Sequence, residues 1–219
     1  EFEHTLSIAE LAEAIDAGRA KGARWIIVTS HYPCLTVGTN GCPSVDDFYD
    51  LVVDKGVDLV LHGHEHSYAR THQLASGVPG CPTITVRATD PDCIADQDDA
   101  YGAGYGTVFA TVGTGGIALR DVDPTDSEAG YFAAWSGANA TPSHGLLDLS
   151  FTEEQLSASL VDATGGGFAD AFTITNGLPA PTTTTSTTTI PSTTTTTTTT
   201  TTTPTPTTTT TTTTVPTTT

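Results

Sequence analysis

Apolar side chains recur at Leu6, Ile8, Leu11, Ala14, Ile15 and Ala17, close to helical spacing, and Gly18 and Gly22 close the stretch. The pattern predicts an amphipathic helix over residues 5–20. The run Trp25-Ile26-Ile27-Val28-Thr29 is instead continuously apolar and β-branched, as in a strand buried on both faces, and it stops at Ser30-His31-Tyr32-Pro33. After a Gly/Pro-rich loop over 32–43, Ser44 is an N-cap candidate for a helix through Asp54 that turns Phe48, Leu51 and Val52 inward. Gly56 ends that helix, and Val57-Asp58-Leu59-Val60-Leu61 reads as a second buried strand. Such strand–helix–strand crossovers are right-handed and leave the two strands parallel, so both finish at one edge of the sheet. His31 and the cluster at 62–66 are thereby expected side by side. Residues 82–87 and 106–112 read as further strands around an acidic, Gly-rich loop at 89–105. A closing hairpin over 146–151 and 156–161 and a last strand at 171–174 complete the pattern.

From residue 180 onward the pattern vanishes: Thr and Pro fill the chain, with only Ala180, Ile190 and Val215 apolar. Such a segment has no surface to bury in return for ordering, so a mucin-like, extended stalk is expected. The division predicted is a folded part over 1–178 and a low-complexity linker or stalk over 179–219, in a chain of 219 residues. The sequence contains no Met, and both Glu1 and Thr219 read as cut ends, so the expectation is a piece of a longer protein.

Charge narrows the function classes. The net charge is −18, from 25 acidic and 7 basic residues, and the basic ones are scattered along the chain. That argues against nucleic acid, which is held by clustered Lys and Arg, and against an anionic membrane surface. No apolar run approaches the roughly 20 residues that a membrane-spanning helix takes, so membrane insertion is not expected. Cys34, Cys42, Cys81 and Cys93 allow three pairings; the local one, Cys34 with Cys42 and Cys81 with Cys93, closes two short loops and is preferred. Disulfides beside a Thr/Pro stalk lead to the expectation of a secreted or cell-surface protein, with a further domain or an attachment to the cell surface beyond the stalk.

Three of the seven histidines fall in Leu61-His62-Gly63-His64-Glu65-His66. Imidazole nitrogen is a good ligand for zinc, iron, copper and nickel. In open α/β sheets ligands bind beyond the carboxyl ends of the strands, where His31 and His64 are both expected. A lone His after a strand is commonly a satisfied polar residue; two such turns on parallel neighbours reverse that reading. His62, at the strand end before Gly63, is read as structural or as supporting a ligand from behind, and Glu65, between two ligands on one turn, as facing away from the ions. Gly113-Thr114-Gly115-Gly116 lacks the Lys-Ser/Thr pair of a phosphate-cradling loop and reads as a tight turn.

The order Val28-Thr29-Ser30-His31, then Gly63-His64-Glu65-His66, then Ser67-Tyr68-Ala69-Arg70 resembles the last two metal-binding motifs of the calcineurin-like metallophosphoesterases, closest to the purple acid phosphatase branch. Thr111-Val112-Gly113-Thr114-Gly115-Gly116 and the stretch from His144-Gly145 through Phe172 resemble that branch's closing region, so the likeness runs over about residues 5–175. It implies a layered α/β sandwich, of which this chain would be the C-terminal half. It also implies two metal ions, iron paired with zinc, manganese or a second iron, with His31 and His64 on one and His66 on the other. The activity implied is hydrolysis of phosphate esters by an acid-phosphatase-like phosphomonoesterase. A phosphodiesterase or nucleotidase of the same superfamily is the alternative within enzymes. Outside them stand a non-catalytic surface protein retaining the fold and a structural zinc module. The family's earlier motifs, including the carboxylate that bridges the metals, are not in this sequence, so the chain alone is expected to be inactive, and no catalytic or substrate-binding residue is assigned. Ala69 stands where the branch usually has Glu, and Asn40 is the one candidate to replace the family's missing substrate contacts.

Overall fold

A computed structural model describes residues 7–40 and 46–179. Helix α1 (Ile8–Ala20) begins at a reciprocal cap: Glu10 N–H donates to the Ser7 hydroxyl, and the Glu10 carboxylate accepts from Ser7 N–H at 2.8 Å. Strand β1 (Ile27–Ser30), helix α2 (Asp46–Asp54) and β2 (Leu59–His62) follow in the predicted order. β1 and β2 pair in parallel, Ile27 opposite Leu59 and Ser30 opposite His62. The expected N-cap Ser44, Cys42 and the stalk from residue 180 lie outside the described residues.

The chain then turns back as β3 (Tyr68–Thr71) and adds the short strands β4 (Gln73–Leu74), β5 (Ile94–Asp96) and β6 (Ala100–Gly102). The central strand β7 (Val108–Val112), the edge strand β8 (Phe132–Ser136), the hairpin β9 (Gly145–Phe151) and β10 (Gln155–Asp162), and β11 (Ala171–Thr175) complete it. The main sheet has the order β1-β2-β7-β3-β8 and the second sheet the order β6-β11-β10-β9. One core lies on the helix side of the main sheet, built on Val28, Val60 and Phe109 with Ile15 of α1 and Val52 of α2. The other lies between the sheets, where Leu59, Val108 and Ala110 meet Leu156, Phe172 and Ile174. Alternate residues of β2 and β7 thus enter different cores, which is why both strands read as unbroken apolar runs. The architecture is the expected layered α/β sandwich.

Residues 82–87 are not a strand, contrary to the pattern. Pro82 has no N–H to give, and two backbone N–H groups of this segment go to side chains instead: Ile84 N–H to the Asp50 carboxylate at 2.8 Å and Arg87 N–H to the Glu128 carboxylate. Arg87 also has a φ of 68°, which ends any extended run. Cys81 and Cys93 form the disulfide expected from the local pairing.

Candidate metal centre at the carboxyl edge of the main sheet

The turns that leave β1 and β2 are bonded to each other, Gly63 N–H donating to the His31 carbonyl at 3.2 Å. This brings His31 and His64 together: His31 Nε2 and His64 Nδ1 are 3.3 Å apart and the rings are 5.2 Å centre to centre. His64 takes a φ of 57°, a left-handed conformation that L residues other than Asn, Asp and His rarely adopt. The Arg120 guanidinium donates to the His64 carbonyl at 3.2 Å and Arg120 N–H to the His66 carbonyl at 2.9 Å, so both sides of the turn are pinned. His66 Nδ1 lies 3.1 Å from the Ala118 carbonyl. A carbonyl can only accept, so this contact places the His66 proton on Nδ1 and leaves the Nε2 lone pair free.

Glu65, between the two, is fully buried and points away. Its carboxylate accepts from Asn40 N–H at 2.7 Å and from the Asn40 amide at 3.3 Å, with Arg120 3.9 Å off. It ties the loop after β1 to the turn after β2. Asn40 is engaged in that bond. Two glycines make the arrangement possible: a Cβ on Gly113 would overlap the Glu65 carbonyl oxygen, and one on Gly38 would overlap the Glu65 carboxylate. The loop is held from below by Tyr49, whose hydroxyl accepts from Cys34 and Leu35 N–H; burial pushes that phenol up to about 12.

His62 is structural, as read. It sits in the helix-side core with its ring parallel to Phe109 at 6.4 Å, and burial drives its pKa down to about 4, only partly opposed by the Ser30 backbone. It is neutral near pH 7. Tyr68 and Arg70 are structural too. Arg70 is bidentate to Asp170 at 2.7 and 2.8 Å, reaches Tyr101 and Asp99, and lies 5.0 Å over the Phe172 ring. His144 Nδ1 lies 3.3 Å from the Thr114 carbonyl, against the outside of the 113–116 turn.

His31, His64 and His66 line one open cleft of about 360 Å³ with Val112, Gly113, Gly115, Ile117 and Arg120. Reading by motif missed Arg120, which reaches the cleft from a loop and whose one signal was being a rare cation in an acidic chain. It missed Tyr32 as well, although that residue adjoins His31; its ring is 4.7 Å from His31 and 4.3 Å from His64.

A family model described as calcineurin-like phosphoesterase matches residues 3–68, which include both histidine turns. The solved structure of a purple acid phosphatase from yellow lupin (Lupinus luteus) seeds superposes with a TM-score of 0.54 at 18% identity, over 80% of this chain and 29% of that one. The chain is thus similar to the calcineurin-like phosphoesterases over residues 3–68. Its fold is purple-acid-phosphatase-like. Two uncharacterized proteins of Mycobacterium tuberculosis, from strains CDC 1551 / Oshkosh and H37Rv, are each 31% identical over 109 residues, 48% of this chain. The chain spans only 20% of the length of these relatives.

Likeness to this family implies metal ions, and the donor chemistry can be tested against the geometry. Two imidazole nitrogens on one ion at about 2.0–2.1 Å stand roughly 2.8–3.4 Å apart for bond angles of roughly 90–110°. The 3.3 Å between His31 and His64 lies within that span. Among the described residues no three His, Cys, Asp or Glu side chains converge on one point, so the histidines fit as part of a donor set rather than as all of it.

Proposed function

We propose that this chain supplies half of a dinuclear metal site that hydrolyses phosphate monoesters, with His31 and His64 holding one ion and His66 the other. The observation that carries the reading is the close approach of His31 Nε2 and His64 Nδ1 at the shared edge of β1 and β2, beside a His66 whose Nε2 is left free. When bound, a pair of ions supplies Lewis acidity toward the phosphoryl oxygens and lowers the pKa of an attacking water. The chain's own residues do the positioning. The Ala118 carbonyl fixes the tautomer of His66, and the Glu65–Asn40 bond holds the turn that aims His64 and His66. The exposed part of the Arg120 guanidinium faces the cleft and takes a phosphoryl oxygen, a charge-assisted bond that the strongly negative chain otherwise offers few groups to make. In the reaction water oxygen bonds to phosphorus, the ester P–O bond breaks, and the leaving alcohol keeps the ester oxygen and gains a proton. Donors beyond the three histidines, a bridging carboxylate included, would come from outside the described residues.

An extracytoplasmic location belongs to the same proposal, supported by the Cys81–Cys93 disulfide and by the Thr/Pro-rich composition after residue 180, which suits a stalk to a further domain or to the cell surface. The test uses the full-length protein: metal content together with turnover of a chromogenic phosphate ester, with and without chelator. Chelation should abolish turnover, and His64→Ala should lower both metal content and kcat/KM by at least about 100-fold in kcat/KM. Turnover that survives the substitution unchanged would remove His64 from the site.

A further inference from the structure

We infer that the mouth of the histidine cleft is an apolar subsite, and that the esters handled there have aromatic or bulky apolar leaving groups; this rests on the phosphoesterase reading above. Two large apolar side chains are left uncovered at this one opening, Tyr32 at 51% exposure and Ile117 at 53%. A single exposed apolar residue needs no explanation, but two beside one cleft of ligating groups mark a contact surface. Tyr32 is also held in place. Its ring packs edge-on against His31 at 4.7 Å and tilted against His64 at 4.3 Å, so one face is presented to solvent beside the nitrogens that would hold an ion. The cleft beside it is lined by Val112, Gly113, Gly115 and Ile117, and among the described residues no carboxylate or amide side chain joins them.

The polar half of the cleft suits a phosphoryl group, with three imidazoles and Arg120. Among the described residues the apolar half offers no polar side chain to a hydroxylated leaving group, whose alcohols would lose water against Ile117 and Val112 without new partners. An aryl group gains by the same contacts, through burial and through ring packing on Tyr32. Tyr32 and Ile117 are therefore positioning residues for the part of the substrate that departs.

The experiment uses the full-length, metal-loaded protein and two non-hydrolysable probes, phenylphosphonate and methylphosphonate, as inhibitors of phosphate-ester turnover. Because neither is cleaved, the comparison reads the subsite and not leaving-group reactivity. Phenylphosphonate should inhibit about ten-fold more tightly than methylphosphonate. The double variant Tyr32→Ala with Ile117→Ser should bring the ratio to within about two-fold, whereas Tyr32→Leu, still apolar, should keep most of it. Equal inhibition of an active wild type by the two probes, or a ratio that the double variant leaves unchanged, overturns the subsite while the phosphoesterase reading stands. A protein that turns over no phosphate ester and binds neither probe overturns both.

Discussion

The stretch from His62 to Arg70 contributes polar side chains to two regions that treat them oppositely. At the rim, His31 and His64 touch each other through one ring nitrogen apiece, His66 gives only Nδ1 to a carbonyl, and all three sit in a cleft open to solvent. A few residues on, Arg70 is 1% exposed and gives its donors to Asp170, Tyr101 and Asp99, while Tyr68 donates to the same Asp170 at 2.6 Å. The second region joins β3 of the main sheet to the strands of the second sheet. A buried charge is tolerated only when its partners satisfy it, so there every group is spent on architecture. Ligand chemistry needs the reverse: donors held firmly by their backbone yet left without partners at the reacting atom. The rim achieves this by bonding the carbonyls of His64 and His66 to Arg120 and leaving the rings to face the cleft.

The largest effect should come from breaking the saturated network. Arg70→Ala leaves Asp170 buried and uncompensated, and removal of one partner of such a pair costs about 3–5 kcal/mol, read as a lower urea midpoint. The network also sets an acid limit. Burial alone would raise the Asp170 carboxyl, but the bonds from Arg70 and Tyr68 and the Arg70 charge outweigh it and hold the pKa below the ordinary value. The unfolded chain then binds the proton first on acidification, so this contribution is present above about pH 4 and is lost as pH falls below it. Burial raises Asp58 and Glu128, which act with the opposite sign and offset part of that loss. Asp170→Asn should therefore lower the midpoint near neutral pH and flatten its decline between about pH 5 and about pH 3.

The same contrast explains what could be read from the sequence. The β1–α2–β2 unit was legible because its signals are local: β-branched runs, Gly stops, and a connection that forces parallel strands. The meeting of His31 and His64 followed from strand ends, His66 was named by the family resemblance, and the outward turn of Glu65 followed from its place between His64 and His66. β3 and β8 were not legible as strands, since Tyr68-Ala69-Arg70-Thr71 is apolar only once Asp170, far along the chain, has neutralised Arg70. Residues 82–87 failed for the converse reason, their β-like pattern being overruled by acceptors on Asp50 and Glu128. Arg120 and Ile117 reach the cleft through a backbone bond to His66 that no spacing announces.

A middle-sized effect sharpens the comparison from the rim side. Gly113→Ala would drive a Cβ into the Glu65 carbonyl, whereas Gly115→Ala meets no atom within 4 Å. The first should lose about 1–3 kcal/mol and, by displacing the His64–His66 turn, lower metal content; the second should leave both near wild type. Urea titration and metal analysis of the pair would measure this. Equal behaviour of the two variants would mean that the turn is not held by its packing on β7.

The smallest effect asks whether the rim stores backbone strain. His64 has a positive φ there, as Asp99 does in the network. Glycine adopts that conformation freely, and alanine meets the clash of Cβ with the carbonyl. In the presence of chelator, so that no ligand contributes, His64→Gly should be more stable than His64→Ala by about 1 kcal/mol despite glycine's freer unfolded chain. With metal restored both should fail equally, having lost the same nitrogen. That outcome would separate the two demands on one residue: the backbone of His64 is strained to aim a ring, and the ring is present for a ligand and not for the fold. An alanine variant as stable as the glycine one would instead mean that the left-handed turn relaxes at no cost, and that His64 is aimed by its neighbours' packing rather than by its own backbone.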